Sequence, residues 1–286
     1  MSEPMTMATT DTQRDTAGNI AAPCVAGIHR NMQRGDLAAS PQAIPLWATP
    51  FKLKGLDSYP GGKGADGTVQ RLINEIPPHR NYIEPFLGGG AIVRHKIPAP
   101  GLNIAMEVDA PLFRTWRDQA PAWLTVYNDD GLNYMAEGPF LWPGSPTFYF
   151  IDPPYLDETL KTGRAPYRHR MTYDQHLDLL TVLREKYHAP HNLVMICALP
   201  NLLYERELAG WRTFQYQNKT RRGMQTEQVW MNYPKPTALH DYRYLGEGYR
   251  DRERIRRKQR NKLKELELMD PLERNAMLDA IRQVYP

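Results

Sequence analysis

Phe148-Tyr149-Phe150-Ile151-Asp152-Pro153-Pro154-Tyr155 is the stretch on which the fold of this chain turns. Its first four residues are aromatic or β-branched with no polar break, the pattern of a central strand buried on both faces. The strand runs without a gap into Asp152. The two prolines that follow fix the backbone and remove two N–H donors, which leaves carbonyls free to accept. An acid, a rigid carbonyl and an aromatic face thus project together from a strand end. Such a set suits an exocyclic amine on a flat ring: the amine donates to Asp152 and to the Pro153 carbonyl, and the ring stacks on Tyr155.

Outward from that strand, helix and strand patterns alternate. Upstream, Val69, Leu72, Ile73 and Ile76 have helical spacing, and Pro77-Pro78 stops the helix. Asn81 to Phe86 reads as a strand entering Gly88-Gly89-Gly90, with a short helix after it through Val93 and His95. Leu102 to Glu107 reads as a second strand and Ala110 to Trp116 as a helix, while residues 117–146 carry no clear pattern. Downstream, residues 156–173 form a polar, basic loop. Asp174 to Tyr187 is helical, Leu193 to Ala198 is another buried strand, and Asn201 caps a helix over Leu202 to Leu208 that Gly210 stops. Trp211 to Tyr216 and Gln228 to Tyr233 read as an edge hairpin joined by a basic loop, Asn218 to Thr226. This alternation implies an α/β fold with an open, doubly wound sheet. Sheets of that kind bind ligands at the carboxyl ends of their strands.

Composition narrows the class. Two cysteines in 286 residues, one of them (Cys197) within an apolar run, exclude a disulfide framework and fit a reducing, cytoplasmic setting. No apolar run approaches the roughly 18–20 residues that span a bilayer. A net charge of +4 permits a nucleic-acid partner without requiring one. No Cys/His cluster has zinc-ligand spacing, so no metal is expected. Residues 1–48, rich in Ala, Thr, Pro and Gln, read as a flexible leader. Residues 49–237 read as the catalytic domain. Residues 238–286 read as a basic helical tail, with Glu247 to Met269 helical and Arg and Lys dense from Arg250 to Lys264.

Further elements carry chemistry. In Glu84-Pro85-Phe86-Leu87-Gly88-Gly89-Gly90, glycines after a strand let a ligand approach the backbone. The spacing is not the dinucleotide fingerprint; Gly88 and Gly90 with an upstream acid suit a cationic amino-acid moiety better than phosphates. Glu107, followed by Asp109, stands at the end of the second strand, where a carboxylate accepts from ribose hydroxyls. Tyr59-Pro60-Gly61-Gly62-Lys63-Gly64 precedes the first helix. Arg164, Arg168, His169 and Arg170, with Tyr167 and Tyr173 interleaved, and the pair Arg221-Arg222 suit DNA phosphates.

Taken in order, these motifs resemble the DNA adenine-N6 methyltransferases of the Dam type. That family has a Trp-x-Gly-Gly-Lys element, then Glu-Pro-Phe-x-Gly-x-Gly, then Asp-Pro-Pro-Tyr, and the likeness here spans roughly residues 50–235. It implies a Rossmann-like methyltransferase sheet and S-adenosyl-L-methionine as cofactor. Tyr59, Lys63, Glu84, Phe86, Gly88, Gly90, Glu107, Asp109 and Asp152 would contact the cofactor, and Asp152, Pro153, Pro154 and Tyr155 would act on an adenine flipped out of double-stranded DNA. Tyr59 stands where the family has Trp, and Glu107 where it more often has Asp. Only residues 91–151 separate the glycine loop from Asp152, too few for the family's large target-recognition region. A cytosine-N4 or RNA amino methyltransferase, or a non-catalytic DNA-binding protein on the same fold, are the alternatives. Nothing in the sequence requires an obligate protein partner.

Overall fold

Strand β4 (Thr147–Ile151) is buried at every position and lies at the centre of a seven-stranded sheet. The structure is a computed structural model that describes residues 51–54, 63, 67–137, 144–160, 168–220 and 223–285. The leader read over residues 1–48 lies outside the described residues. Around β4 stand β1 (Asn81–Glu84), β2 (Asn103–Met106), β3 (Thr125–Tyr127), β5 (Asn192–Ala198), β6 (Arg212–Thr220) and β7 (Gly223–Met231), in the order β3-β2-β1-β4-β5-β7-β6. The first five strands are parallel; β7 enters antiparallel between β5 and β6. The strand order reverses between β1 and β4, which opens a crevice at their carboxyl ends.

Alternation along each strand feeds two core layers. Phe148 and Phe150 of β4 face one side, with Tyr82, Met195, Val229 and Met231. That layer is covered by α1 (Thr68–Ile73), α2 (Ala91–His95) and α3 (Ala110–Gln119) through Leu72, Ile92 and Trp116. Tyr149 and Ile151 face the other side, with Ile83, Ile196 and Trp230. There α4 (Gly131–Glu137), α5 (Tyr173–Lys186) and α6 (Leu202–Glu207) contribute Met135, Leu180 and Tyr204. Helices on both faces make this the Rossmann-like α/β sheet that the sequence implied. Trp116 and Trp230 are among the largest fully buried side chains, and burying an apolar side chain contributes about 1.5–3 kcal/mol each.

Local signals set the helix ends. Thr172 and Gln175 form a reciprocal capping box at the start of α5. Asn201 accepts from the Tyr204 amide at 2.9 Å, as its place before the helix suggested. Three readings need correction. Residues 117–146 hold β3 and α4; β3 is three residues long and half exposed at the sheet edge, so burial leaves no pattern on it. The stretch Asn218 to Thr226 is not a loop: Asn218 pairs with Gln225, Lys219 with Met224 and Thr220 with Gly223, so β6 runs on to Thr220 and β7 starts at Gly223. Polar cross-strand pairs such as Gln217 with Thr226 at 2.8 Å and Asn218 with Glu227 at 2.7 Å replace the apolar alternation there. The third concerns where the tail begins: the helix read over Glu247 to Met269 is present as α7 (Tyr249–Leu268) and is followed by α8 (Pro271–Val284), capped by Asp270, but the residues ahead of α7 are not part of the tail.

The segment ahead of α7 is part of the packed body. Tyr244 joins the first core layer, Asn74 donates to the Tyr244 carbonyl at 2.8 Å, and Asp241 is ion-paired with Arg243 at 2.7 Å. Neither α7 nor α8 has a buried residue. No helix among the described residues is long and apolar enough to cross a membrane.

Candidate active site

The carboxyl ends of β1, β2 and β4 open on a cavity of about 430 Å³, within the range of small-molecule sites. Its walls bring together the glycine loop from Glu84 to Ala91, Met106 to Asp109 after β2, and Asp152 and Pro154 after β4. The expected residues Lys63, Glu84, Phe86, Gly88, Gly90, Glu107, Asp109 and Asp152 all line it. Tyr59 lies outside the described residues.

The glycine loop is held by hydrogen bonds. Leu87 N donates to Met106 O, which ties the loop to β2, and Gly90 N donates to Leu87 O at 2.7 Å. Gly88 and Gly90 have φ of +49° and +59°, the left-handed region that favours glycine. A Cβ on Gly90 would also lie 2.4 Å from the Trp116 ring. That indole donates from Nε1 to Gly88 O at 2.9 Å, so α3 braces the loop from behind.

The acids differ in state. Glu107 is buried, and its carboxylate accepts from Gly88 N and from Asp109 N, each at 2.8 Å. Burial holds its carboxyl above the usual range against those donors. Asp109 caps α3 by accepting from Leu112 N at 3.2 Å. Glu84 is buried and accepts from the Tyr82 hydroxyl at 2.7 Å; burial pushes it up to about 8, so it is mostly protonated at neutral pH.

At Asp152, Lys63 is the partner: Nζ donates to Oδ1 at 2.7 Å, with Lys63 only 1% exposed and Asp152 21%. Burial raises the Asp152 carboxyl to about 6, with Glu227 adding to the rise and Lys63 opposing it. Lys63 also donates to the Tyr155 hydroxyl at 3.0 Å. Pro154 is half-buried and faces the cavity, whereas Pro153 and Tyr155 are buried and are not among the described residues that line it.

The basic residues fall in two groups. Arg164, Tyr167, Arg221 and Arg222 lie outside the described residues. Arg168 and Arg170 line the cavity: Arg168 is 3.5 Å from Asp109, and Arg170 2.7 Å from Asp157. They stand at the cavity rim, paired with acids.

Several contributors escaped the sequence reading. Asp130 and Gly131, after β3, complete one wall, and Asp130 accepts from Leu132 N at 2.8 Å. A Cβ on Gly131 would lie 2.1 Å from the Pro85 carbonyl oxygen, so glycine there lets α4 close against the glycine loop. The Asp129-Asp130-Gly131 turn was the available signal. Glu227 of β7, 1% exposed, lies 3.2 Å from Lys63 Nζ. Its signal was an acid two residues before Val229 and four before Met231, on the core face of a strand. His176 is fully buried and shares a hydrogen bond of 2.9 Å with the Tyr204 hydroxyl. Among the described residues no group of His, Cys, Asp and Glu is arranged to hold a metal ion.

No protein-family model and no curated protein matches the chain. Among solved structures, the chain is similar to the catalytic domain of hMettl16 in complex with a MAT2A 3'UTR hairpin, at 13% identity and a TM-score of 0.41, over 61% of this chain and 75% of that one. The 23S rRNA methyltransferase ErmE is 13% identical with a TM-score of 0.37, over 68% and 75%. A SAM-dependent methyltransferase from Agrobacterium tumefaciens is 9% identical with a TM-score of 0.36, over 58% of this chain and 60% of its own. Likenesses at these values assign no activity, and the functional reading rests on the site itself.

Proposed function

We propose that this chain is an S-adenosylmethionine-dependent methyltransferase that acts on the N6 amine of adenine in double-stranded DNA. One observation carries the reading: Gly88, Gly90, Glu107 and Asp152, from three strand ends, line a single cavity where the strand order reverses. The residues fit such a cofactor. A glycine loop that lines the cavity with its backbone admits a ligand close to the main chain, and the acids Glu107, Asp109 and Asp130 suit ribose hydroxyls and amines. When bound, S-adenosylmethionine supplies a methyl group on a sulfonium, already an activated leaving group.

The chain's residues do the rest by placement. Asp152, ionised above about pH 6, accepts a hydrogen bond from the target amine, which draws its lone pair out of conjugation with the ring. The backbone of the two prolines fixes a second acceptor beside it. Lys63, which donates to Oδ1 at 2.7 Å, holds the Asp152 carboxylate in place. Tyr155, which follows the two prolines beside the cavity, is the residue to stack on the extruded base. Arg168 and Arg170 at the rim, and the basic face of α7, hold phosphates.

The choice of adenine and of DNA comes from the order of the motifs and from an acid, rather than Ser, at the head of Asp152-Pro153-Pro154-Tyr155. The test is transfer of labelled methyl from S-adenosylmethionine to unmethylated genomic DNA, with product nucleosides identified and mapped. N6-methyladenine supports the reading. N4-methylcytosine would move it to the sister chemistry, and label in RNA alone would move it to an RNA substrate.

A further inference from the structure

Side chains from distant parts of the chain meet beside the cavity. Lys63 Nζ lies 2.7 Å from Asp152 Oδ1 and 3.2 Å from Glu227 Oε2, and Lys63 and Glu227 are each 1% exposed. The edge hairpin fixes Glu227 in turn: Asn218 Nδ2 donates to Oε1 at 2.7 Å, and the Tyr216 hydroxyl donates to Oε2 at 2.5 Å. All these partners are donors, so Glu227 is held as the carboxylate. Burial alone would raise its proton affinity, but Lys63 and these hydrogen bonds bring it below the ordinary value.

One buried lysine is balanced by one carboxylate. A second carboxylate leaves an excess negative charge out of water, which is costly unless something compensates it. Glu84, the next buried acid, is mostly protonated and does not add to the excess. Lys63 and Asp152 both line the cavity and Glu227 does not; of the pair Asp152 is the more exposed, 21% against 1%, so the excess charge is felt there.

We infer that Glu227 is a positioning and specificity-determining residue: by sharing Lys63 with Asp152 it leaves Asp152 incompletely neutralised, a net anionic wall, which makes the cavity selective for a cationic sulfonium over the neutral thioether left when the methyl is lost. The inference rests on the proposed function and adds the electrostatic basis of cofactor choice. It also gives the edge hairpin a role, since β6 and β7 carry the residues that hold Glu227.

The test is calorimetric binding of S-adenosylmethionine and of S-adenosylhomocysteine to the full chain, wild type and Glu227→Gln. The ligands share their amino-acid and nucleoside parts, so the ratio of their dissociation constants isolates the sulfonium charge. In Glu227→Gln the ratio shifts against the sulfonium by about tenfold, with thioether affinity changed less than about threefold, as expected for one charge removed near a partly exposed site. Equal weakening of both ligands, the mark of a structural role alone, or an unmoved ratio, overturns the inference. Should thermal unfolding show that the variant does not fold, the wild type carries the test through pH. The groups that face Asp152 are Lys63, Glu227, Glu84, Cys197 and Tyr204. Protonation of Asp152 as pH falls through about 6 removes the excess charge, so the preference for the sulfonium falls between pH 7 and pH 5, a window in which Glu84 stays mostly protonated. A preference that does not change with pH overturns the inference. Failure of the wild type to bind either ligand overturns the proposed function and the inference with it; binding of both with an unmoved ratio overturns the inference alone.

Discussion

Asp152 sits between a buried ammonium and an open cavity, and its removal separates folding from chemistry. In Asp152→Ala, Lys63 keeps Glu227 at 3.2 Å, so no buried cation is left unpaired. Thermal unfolding of that variant is expected to stay close to wild type, while kcat/KM for methyl transfer falls by at least about a hundredfold, the scale on which loss of one preorganised polar group acts. The pH profile follows from the same residue. Its carboxyl is raised to about 6, chiefly by burial, so below that pH it is protonated and no longer an anionic acceptor. Activity is therefore retained above pH 6 and lost below it, and the acid limb of kcat/KM in the free enzyme should fall about tenfold per pH unit. A flat profile from pH 5 to pH 8 would remove Asp152 from the chemistry. Asp152, Gly88, Gly90 and Glu107 were legible in the sequence because each stands at a strand end in a recognisable local pattern. Glu227 was not, because its role depends on Lys63, which reaches it only through the fold.

The helices and strands nearest the cavity place those residues by packing against one another. Helix α3 does so through Trp116, whose indole braces Gly88 and fills the space where Gly90 would carry a Cβ. Gly90→Ala combines an approach of 2.4 Å with a left-handed φ of +59°. It is expected to destabilise the protein by about 1–3 kcal/mol and to weaken cofactor binding, read as a lower Tm and a higher Kd. Gly144→Ala is the control: its φ is +85° but nothing lies within 4 Å of a Cβ there, so only the backbone strain applies and cofactor affinity is unchanged. Equal losses at the two positions would contradict the bracing role of Trp116. Elements with a complete pattern were readable, namely β4, β5, α5 and α6, each with an apolar run or a cap. Strand β3 and helix α4 were not, being short and partly exposed. The ends of β6 and β7 read as loop because polar residues pair across them where apolar ones usually stand.

The molecule as a whole carries its positive charge unevenly. Helix α7 has no buried residue, and Arg257, Lys258, Arg260 and Lys264 are exposed along it. As part of the proposed DNA surface they hold phosphates without reading bases. Replacing these four by Gln should weaken binding to any duplex alike and lower the slope of log affinity against log salt by about one for each phosphate no longer neutralised, while transfer at saturating DNA is preserved. An unchanged slope would exclude α7 from the interface. The sequence showed the basic helix but not that the chain ahead of it, through Tyr244, belongs to the packed core, since that packing depends on long-range hydrogen bonds to α1 and α2. The central claim is that this cavity transfers a methyl group to adenine N6 through Asp152. Its most direct test is single-turnover transfer from labelled S-adenosylmethionine to duplex DNA by wild type and Asp152→Ala side by side, with the labelled nucleoside identified. The account predicts N6-methyladenine from the wild type and none above background from the variant, with both proteins folded and the cofactor raised to saturation for each. Equal transfer by the two proteins, or no transfer to any nucleic acid by the wild type, would contradict it.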